Sequence, residues 1–321
     1  MNLRFVGFAL ALAVGVVSWV LTCAAWRFDR VMAGFLPLEP RAFERFTVVV
    51  LGTAAAGEDH HRRGTSIAAA FGEEVVLVDT GRGVAEALRA AKIPPSQPAA
   101  VLLTSLLPEN TVGLDDLLAA AWLAGRRAPI RVLGPPGTAA LSEHVVAQIS
   151  AGVVARARAL GDDSAPPALL AIEMAGGAQH ALGGVTMLAG ALSGGPLPAL
   201  AWRIEAQGHS AVVGGTGWDG AALENLARGA NLLLHDANHV PTPEEAQAAS
   251  LAVEPERLAR EAAIYTDFAE VGAIARRAGV GALVLIRMRQ PAVLDLQVTS
   301  RVDDAFDGPI AVAHDGDEFT P

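Results

Sequence analysis

The sequence predicts an α/β fold: a four-layer αββα sandwich preceded by one N-terminal apolar helix. Three observations predict it. Short apolar runs bounded by glycine come first in series and then alternate with helical patterns. The second half of the chain repeats the logic of the first. The first apolar run, "FVGFALALAVGVVSWVLTCAAW" from Phe5 to Trp26, carries no charge and stands apart from the rest.

That first run matches the length of a spanning helix, about 20 apolar residues. A removed signal has a shorter apolar core, about 7–15 residues, and a small-residue cleavage site. The residues around Thr22 to Ala25 make a poor one, and Thr22 weakens "VLTC" as a lipid-attachment signal. The reading is an uncleaved single-pass anchor over residues 1–26, with a removed signal as the alternative. Trp19 and Trp26 suit a membrane boundary. Arg27, Arg30, Arg41 and Arg45 follow the run and argue for a cytoplasmic domain, whereas a very short N-terminal tail before a large domain argues for export. The expectation is a periplasmic, extracytoplasmic domain. Residues 27–45, with Pro37 and Pro40, read as a linker, and residues 46–321 as the folded domain.

From Phe46, "FTVVVLGT", "SIAAAF" and "EVVLVDTG" read as strands, the last ending at Asp79. "GVAEALRAAKI" reads as a helix and "AAVLLTS" as a strand. "LDDLLAAAWLAGR" places Leu114, Leu117, Leu118 and Ala121 on one helical face. "IRVLGP" is a strand, and "GTAALSEHVVAQIS" starts a helix. "ALAWRIEA" and "SAVVGGTG" form a strand pair. "DGAALENLARGA" is a helix with Asp219 as its N-cap. "NLLLHDA", "DFAEVGAIARRAG" and "ALVLIRM" close the pattern as strand, helix and strand. Residues 154–168 and 240–256 read as surface insertions.

The chain has 321 residues, a net charge of −10 and a single lysine, Lys92. Phosphate neutralisation needs clustered cations, so no nucleic-acid partner is expected. The one cysteine, Cys23, allows neither an intrachain disulfide nor a cysteine zinc site.

The pieces "VVVLGT", "RRGTS", "VVLVDTGRG", "LLTSLLPENTVGLDDLL", "PIRVLGPPGT", "PALAWRIEA", "AVVGGTG", "LARGANLLLHDANHV" and "DFAEVGAIARRAGVGALVL" occur in that order. In this order and spacing the chain resembles the metallo-β-lactamase fold, in its ribonuclease Z-like and arylsulfatase-like branch. The resemblance implies a hydrolase built on two zinc ions, held by imidazoles and carboxylates, with a bridged water as nucleophile. Against the family pattern Thr-His-x-His-x-Asp-His, the chain reads Thr104-Ser105-Leu106-Leu107-Pro108-Glu109-Asn110. The resemblance places four ligands on Ser105, Leu107, Glu109 and Asn110. Further ligands fall on Ser193 or Gly194, on Thr216 and on Arg287, and an often catalytic histidine falls on Tyr265. Leucine offers no donor, and serine and asparagine are poor neutral ligands for zinc. Arg287 brings a positive charge to a cation's place. Asp79, His235 and Asp236 match residues that support the family's site from outside the ligand shell. The expectation is that these metal-binding motifs are degenerate and that no zinc is bound.

Other residues invite alternatives. Asp59, His60 and His61 in "EDHHRR" offer a relocated metal site, although adjacent histidines rarely converge on one ion. Glu109 is a lone carboxylate without an evident nucleophilic partner. Ser105 and Ser193 lack a G-x-S-x-G elbow and a paired histidine. Two functions remain open. One is a membrane-anchored pseudoenzyme that works as a binding, scaffold or accessory subunit, with a protein partner or a homodimer. The other is a phosphodiester, ester or lactone hydrolase with a rebuilt or single-metal site, which would need zinc.

Overall fold

The structure is a computed structural model and describes residues 3–33, 37–55, 61–215, 220–250, 252–262, 264–289 and 295–321. The chain divides into two compact units, Met1–Glu39 and Pro40–Pro321.

The first unit carries α1, Leu3–Ala33. Among the described residues no helix is long and apolar enough to cross a membrane, so the expected spanning helix is not supported. The expected linker over residues 27–45 is also corrected. Its first part continues α1 to Ala33, where residues 27–33 contain neither glycine nor proline. Its last part is already strand.

The second unit holds two seven-stranded sheets. Six strands come first: β1 (Phe43–Gly52), β2 (Ser66–Gly72), β3 (Glu74–Val78), β4 (Ala100–Leu102), β5 (Ile130–Gly134) and β6 (Leu169–Glu173). Seven more follow: β7 (Gln179–Leu182), β8 (Val185–Leu192), β9 (Ala199–Ala206), β10 (His209–Val213), β11 (Leu232–Asp236), β12 (Ala282–Ile286) and β13 (Ile310–Val312). The last, β14 (Glu318–Phe319), returns to the first sheet. The orders are β14-β1-β2-β3-β4-β5-β6 and β13-β12-β11-β10-β9-β8-β7. In each sheet one half is antiparallel and the other parallel. In the first sheet β3 to β6 are parallel, and in the second β10 to β13 are.

The packing follows from the sequence pattern. The central strands are buried on both faces, which explains runs such as "VVVLG" with no polar alternation. One apolar cluster fills the space between the sheets, around Phe46, Val48, Val76, Met187, Trp202 and Val284. A second lies outside the first sheet, under α2 (Val84–Ala90), α4 (Leu114–Leu123) and α5 (Thr138–Ala159). The short helix α3 (Pro108–Thr111) precedes α4. A third cluster lies outside the second sheet, under α6 (Gly220–Ala227), α9 (Phe268–Ala278) and α10 (Asp295–Asp303). The expected αββα sandwich is the observed arrangement.

Two expected surface insertions are corrected. Residues 154–159 complete α5. The stretch 240–256 contains α7 (Pro243–Ala248) and the start of α8 (Pro255–Ala262). The N-cap of α7, Thr242, forms a capping box with Glu245. Strands β6 to β8, β13 and β14 escape the sequence pattern. β6 and β7 are half-exposed, with only partial apolar character. The expected N-cap Asp219 lies outside the described residues.

The sheets are tied at one end by hydrogen bonds to the main chain. Leu200 N–H of β9 donates to Thr104 O beyond β4 at 2.7 Å, and the fully buried Trp202 donates its Nε1–H to Leu103 O at 3.1 Å. Ala54, just after β1, bridges in parallel to Met288, just after β12. The carboxyl ends of the parallel strands of both sheets therefore meet at one place, where open α/β sheets characteristically carry their sites.

Candidate functional site

At that end the chain brings together Thr65 before β2, Asp79 after β3, Thr104 after β4, Gly214 after β10, the His235–Asp236 pair closing β11, and Arg287 after β12. Arg287 occupies the centre. Its Nη2 donates to Asp79 Oδ2 at 2.5 Å, its Nη1 to Gly214 O, and its Nε to Thr65 Oγ1 at 3.0 Å. All three guanidinium nitrogens are thus engaged, two with the first sheet and one with the second. Arg287 is 4% exposed and Asp79 fully buried.

Asp79 is fixed by more than the guanidinium. It accepts from Thr104 N–H at 2.8 Å and from Thr104 Oγ1 at 2.8 Å. Its own main chain is held by Leu102 O and Ser66 Oγ. Burial pushes the Asp79 carboxyl above the ordinary value, while the Arg287 charge and the Thr104 bonds oppose that push. Both partners adopt left-handed backbone, with φ 59° at Asp79 and φ 51° at Arg287. Such a conformation costs on the order of 1–3 kcal/mol at a non-glycine residue. Asparagine and aspartate tolerate it, but an arginine there is uncommon. Asn238 secures it, donating from Nδ2 to Arg287 O at 3.2 Å and accepting from Arg289 N–H at 2.7 Å.

Ser105 and Asn110 form the loop's own network. Asn110 Nδ2 donates to Ser105 Oγ at 2.8 Å and to Thr104 Oγ1 at 3.1 Å, and both residues are buried. His235 is buried with its Nε2 3.2 Å from Thr266 Oγ1. Its Nδ1 lies 3.0 Å from Asp236 Oδ1, outside hydrogen-bond alignment. Only a glycine fits at 214, because a Cβ there would lie 2.3 Å from His235 Nδ1. Burial lowers the His235 pKa from its ordinary value, Asp236 opposes this, and Arg287 adds to it. Burial therefore disfavours the charged imidazole in the folded chain.

A cavity of about 220 Å³ opens beside Arg287, lined also by Leu107, Glu109, Pro196, Asp236, Asn238, Ile264 and Tyr265. Tyr265 stacks under Arg289, whose guanidinium carbon is 4.9 Å from the ring centroid. Arg289 is itself paired with Glu261 at 2.8 Å. Of the expected cleft residues, Leu107, Glu109, Tyr265 and Arg287 line this cavity. Ser105 and Asn110 do not, being turned into the loop network, and Ser193 is exposed beside the lining residue Pro196. Thr216, Asp59 and His60 lie outside the described residues. His61 lines a separate cavity with Thr53, Met288, His314 and Asp315.

These side chains do not fit a pair of zinc ions. A guanidinium already holds the carboxylate Asp79, and Leu107 contributes no donor. Among the described residues no three metal-capable side chains come together. Sequence reasoning missed Thr65, Gly214, Asn238 and Thr266 as partners. Thr65 and Gly214 stood inside quoted scaffold pieces, and Asn238 follows the His-Asp pair by two positions.

No protein-family model matches the chain. A ribonuclease Z of Mycobacterium sp. (strain KMS) is 33% identical over 248 residues, 76% of this chain and 84% of that protein. A ribonuclease Z of Mycobacterium bovis (strain BCG / Pasteur 1173P2) is 30% identical over 242 residues, 74% of this chain and 84% of that protein. Among solved structures, the metallo-β-lactamase fold protein YhfI from Bacillus subtilis matches with a TM-score of 0.66 at 16% identity, covering 86% of this chain and 99% of that one. The short form of human tRNase Z matches with a TM-score of 0.58 at 17% identity, covering 86% of this chain and 99% of that one.

Two measurements check this geometry. In urea unfolding of residues 40–321, Arg287→Met destabilises by about 3–5 kcal/mol because it strands a buried carboxylate. Adding Asp79→Asn recovers part of that loss, and Arg287→Lys does not replace the three-way contact. Full additivity of the two changes would refute the pairing. The second measurement is pH dependence. The unfolded chain protonates His235 below about pH 6.5, while in the native state burial disfavours the charged form. Its contribution to stability is complete above that pKa and falls as the pH drops towards the lowered native one. The urea midpoint falls less between pH 7.5 and 5.5 in His235→Gln than in the parent, and equal falls would contradict this.

Proposed function

The chain belongs to the ribonuclease Z family of the metallo-β-lactamase fold, and from that premise we propose that it is a non-catalytic member. It works by binding, as a scaffold or accessory subunit, and it is held at a membrane.

The observation that carries the reading is the guanidinium of Arg287, buried against Asp79 where the family resemblance expects a metal ion. Metal-dependent hydrolysis needs a cation with an open position for water. Here a permanently charged side chain takes the carboxylate, and five donors with no acceptor cannot generate a nucleophile. Ser105, Leu107, Glu109, Asn110, Ser193, Thr216, Tyr265 and Arg287 are read as degenerate ligand positions. Asp79, His235 and Asp236 persist because they hold loops together. Glu109 faces the cavity as a lone carboxylate, which is too little for general-base chemistry without an activated partner.

The membrane part rests on the uncharged run from Phe5 to Trp26 and on no feature of the folded domain. An extracytoplasmic domain and a homodimer or membrane-complex partner extend the same reading. The net charge of −10 speaks against RNA as the partner.

Hydrolysis assays test the catalytic side. Phosphodiester, ester and lactone substrates stay unhydrolysed when zinc, manganese or iron is supplied, and metal-dependent turnover of any of them would refute the reading. Alkaline carbonate washing tests the anchor: the full chain stays with the membrane pellet, and its quantitative release would remove the anchor from the account.

A further inference from the structure

We propose that the cavity beside Arg287 binds a small uncharged ligand with a compact hydrocarbon body the size of one ring. This deepens the proposed binding function and rests on it.

The polar atoms around the cavity are committed elsewhere. The guanidinium of Arg287 is spent on Asp79, Thr65 and Gly214. Asp236 Oδ2 accepts from Thr266 N–H at 3.4 Å, and its Oδ1 is sealed from solvent 3.0 Å from His235 Nδ1. Asn238 donates from Nδ2 to Arg287 O and accepts at Oδ1 from Arg289 N–H. Burial pushes the Tyr265 phenol above its ordinary value, so the hydroxyl adds no charge. Glu109 makes no ion pair among the described residues, but it is only partly buried, so water still solvates its carboxylate. A cation would find that one solvated carboxylate, and an anion no free cation. Neither offsets the hydration that an ion loses on entry.

What the wall offers instead is carbon. Leu107 and Tyr265 are half-buried, Ile264 is 40% exposed and Pro196 is exposed. They come from three segments: the loop after β4, the loop between β8 and β9, and the stretch between α8 and α9. Apolar surface from all three meets at one hollow, and a hydrocarbon body removes that surface from water. Arg289 holds the Tyr265 ring from 4.9 Å and is itself tied to Glu261 at 2.8 Å, so this part of the wall is preformed. An apolar cavity of about 150 Å³ takes up benzene, and drug-sized ligands occupy roughly 300–1,000 Å³. At about 220 Å³ this cavity lies between the two, which suits one ring with a small substituent.

The test is calorimetric titration of the full-length chain with cyclohexanol, cyclohexylammonium and cyclohexanecarboxylate, three probes of one shape and different charge. The alcohol binds at one equivalent per chain, about tenfold tighter than either ion. Its binding carries a negative heat-capacity change and does not respond to added sodium chloride. Ile264→Asn, at an exposed position, lowers the alcohol affinity several-fold. Leu107→Trp fills the cavity and abolishes binding, with the urea midpoint confirming that the variant is folded. Leu160→Asn, at a residue 76% exposed and outside the cavity, leaves the affinity unchanged. Binding of either ion as tightly as the alcohol, no binding of any probe to the folded chain, or uptake that Ile264→Asn does not reduce overturns the inference. The metal content of the same sample separates the two failures. Stoichiometric zinc would overturn the proposed function itself. A metal-free chain that binds no cyclohexanol overturns this inference alone.

Discussion

The guanidinium of Arg287, held between Asp79 and Thr65 of one sheet and the carbonyl of Gly214 of the other, is the contact on which the rest of the site depends. Burying two opposite charges costs several kcal/mol per ion, and the mutual attraction offsets this only when the geometry is good and the remaining lone pairs are satisfied. The chain meets that condition. Thr104 gives Asp79 two further donors, and the three nitrogens of Arg287 each find an acceptor. The left-handed backbone at both partners shows that the surrounding contacts impose the pairing. A divalent cation in such a place would join the sheets through its ligands. Here one side chain joins them with its own charge.

The surroundings of this pair fit the proposed non-catalytic reading. Loop residues that the resemblance assigns to ligands have turned to each other, as Asn110 does to Ser105. The His235–Asp236 pair still ties β11 to the loop at Thr266. What remains open to a ligand is a small cavity with largely apolar walls. Membership of the ribonuclease Z family sets the fold and the location of the site. It does not set the chemistry, because function depends on the side chains placed there.

The fold was largely legible in the sequence, and the reasons are physical. β1 to β5 and β9 to β12 are largely apolar runs, as doubly buried strands must be, and β1, β2, β3, β5, β10 and β11 are closed by glycine or aspartate. β6 and β7 sit at sheet edges, where partial exposure dilutes the pattern. The short helices α7 and α8 lie in a stretch rich in glutamate and alanine, which reads as surface. At the site, Arg287 and Tyr265 could be singled out from motif alignment, and both line the cavity. The partners of Arg287 could not. Asp79 is 208 positions away and Thr65 is 222, so no local pattern announces the contact.

The central claim is that a protein cation holds the place of the metal. The measurement that tests it most directly is metal content of the purified chain by plasma mass spectrometry, after growth with added zinc, manganese and iron. The account predicts less than about a tenth of an equivalent of any of them, since a zinc site needs three or four convergent ligands. One or two equivalents would contradict it, and would mean that the chain holds a ligand set the buried ion pair does not block.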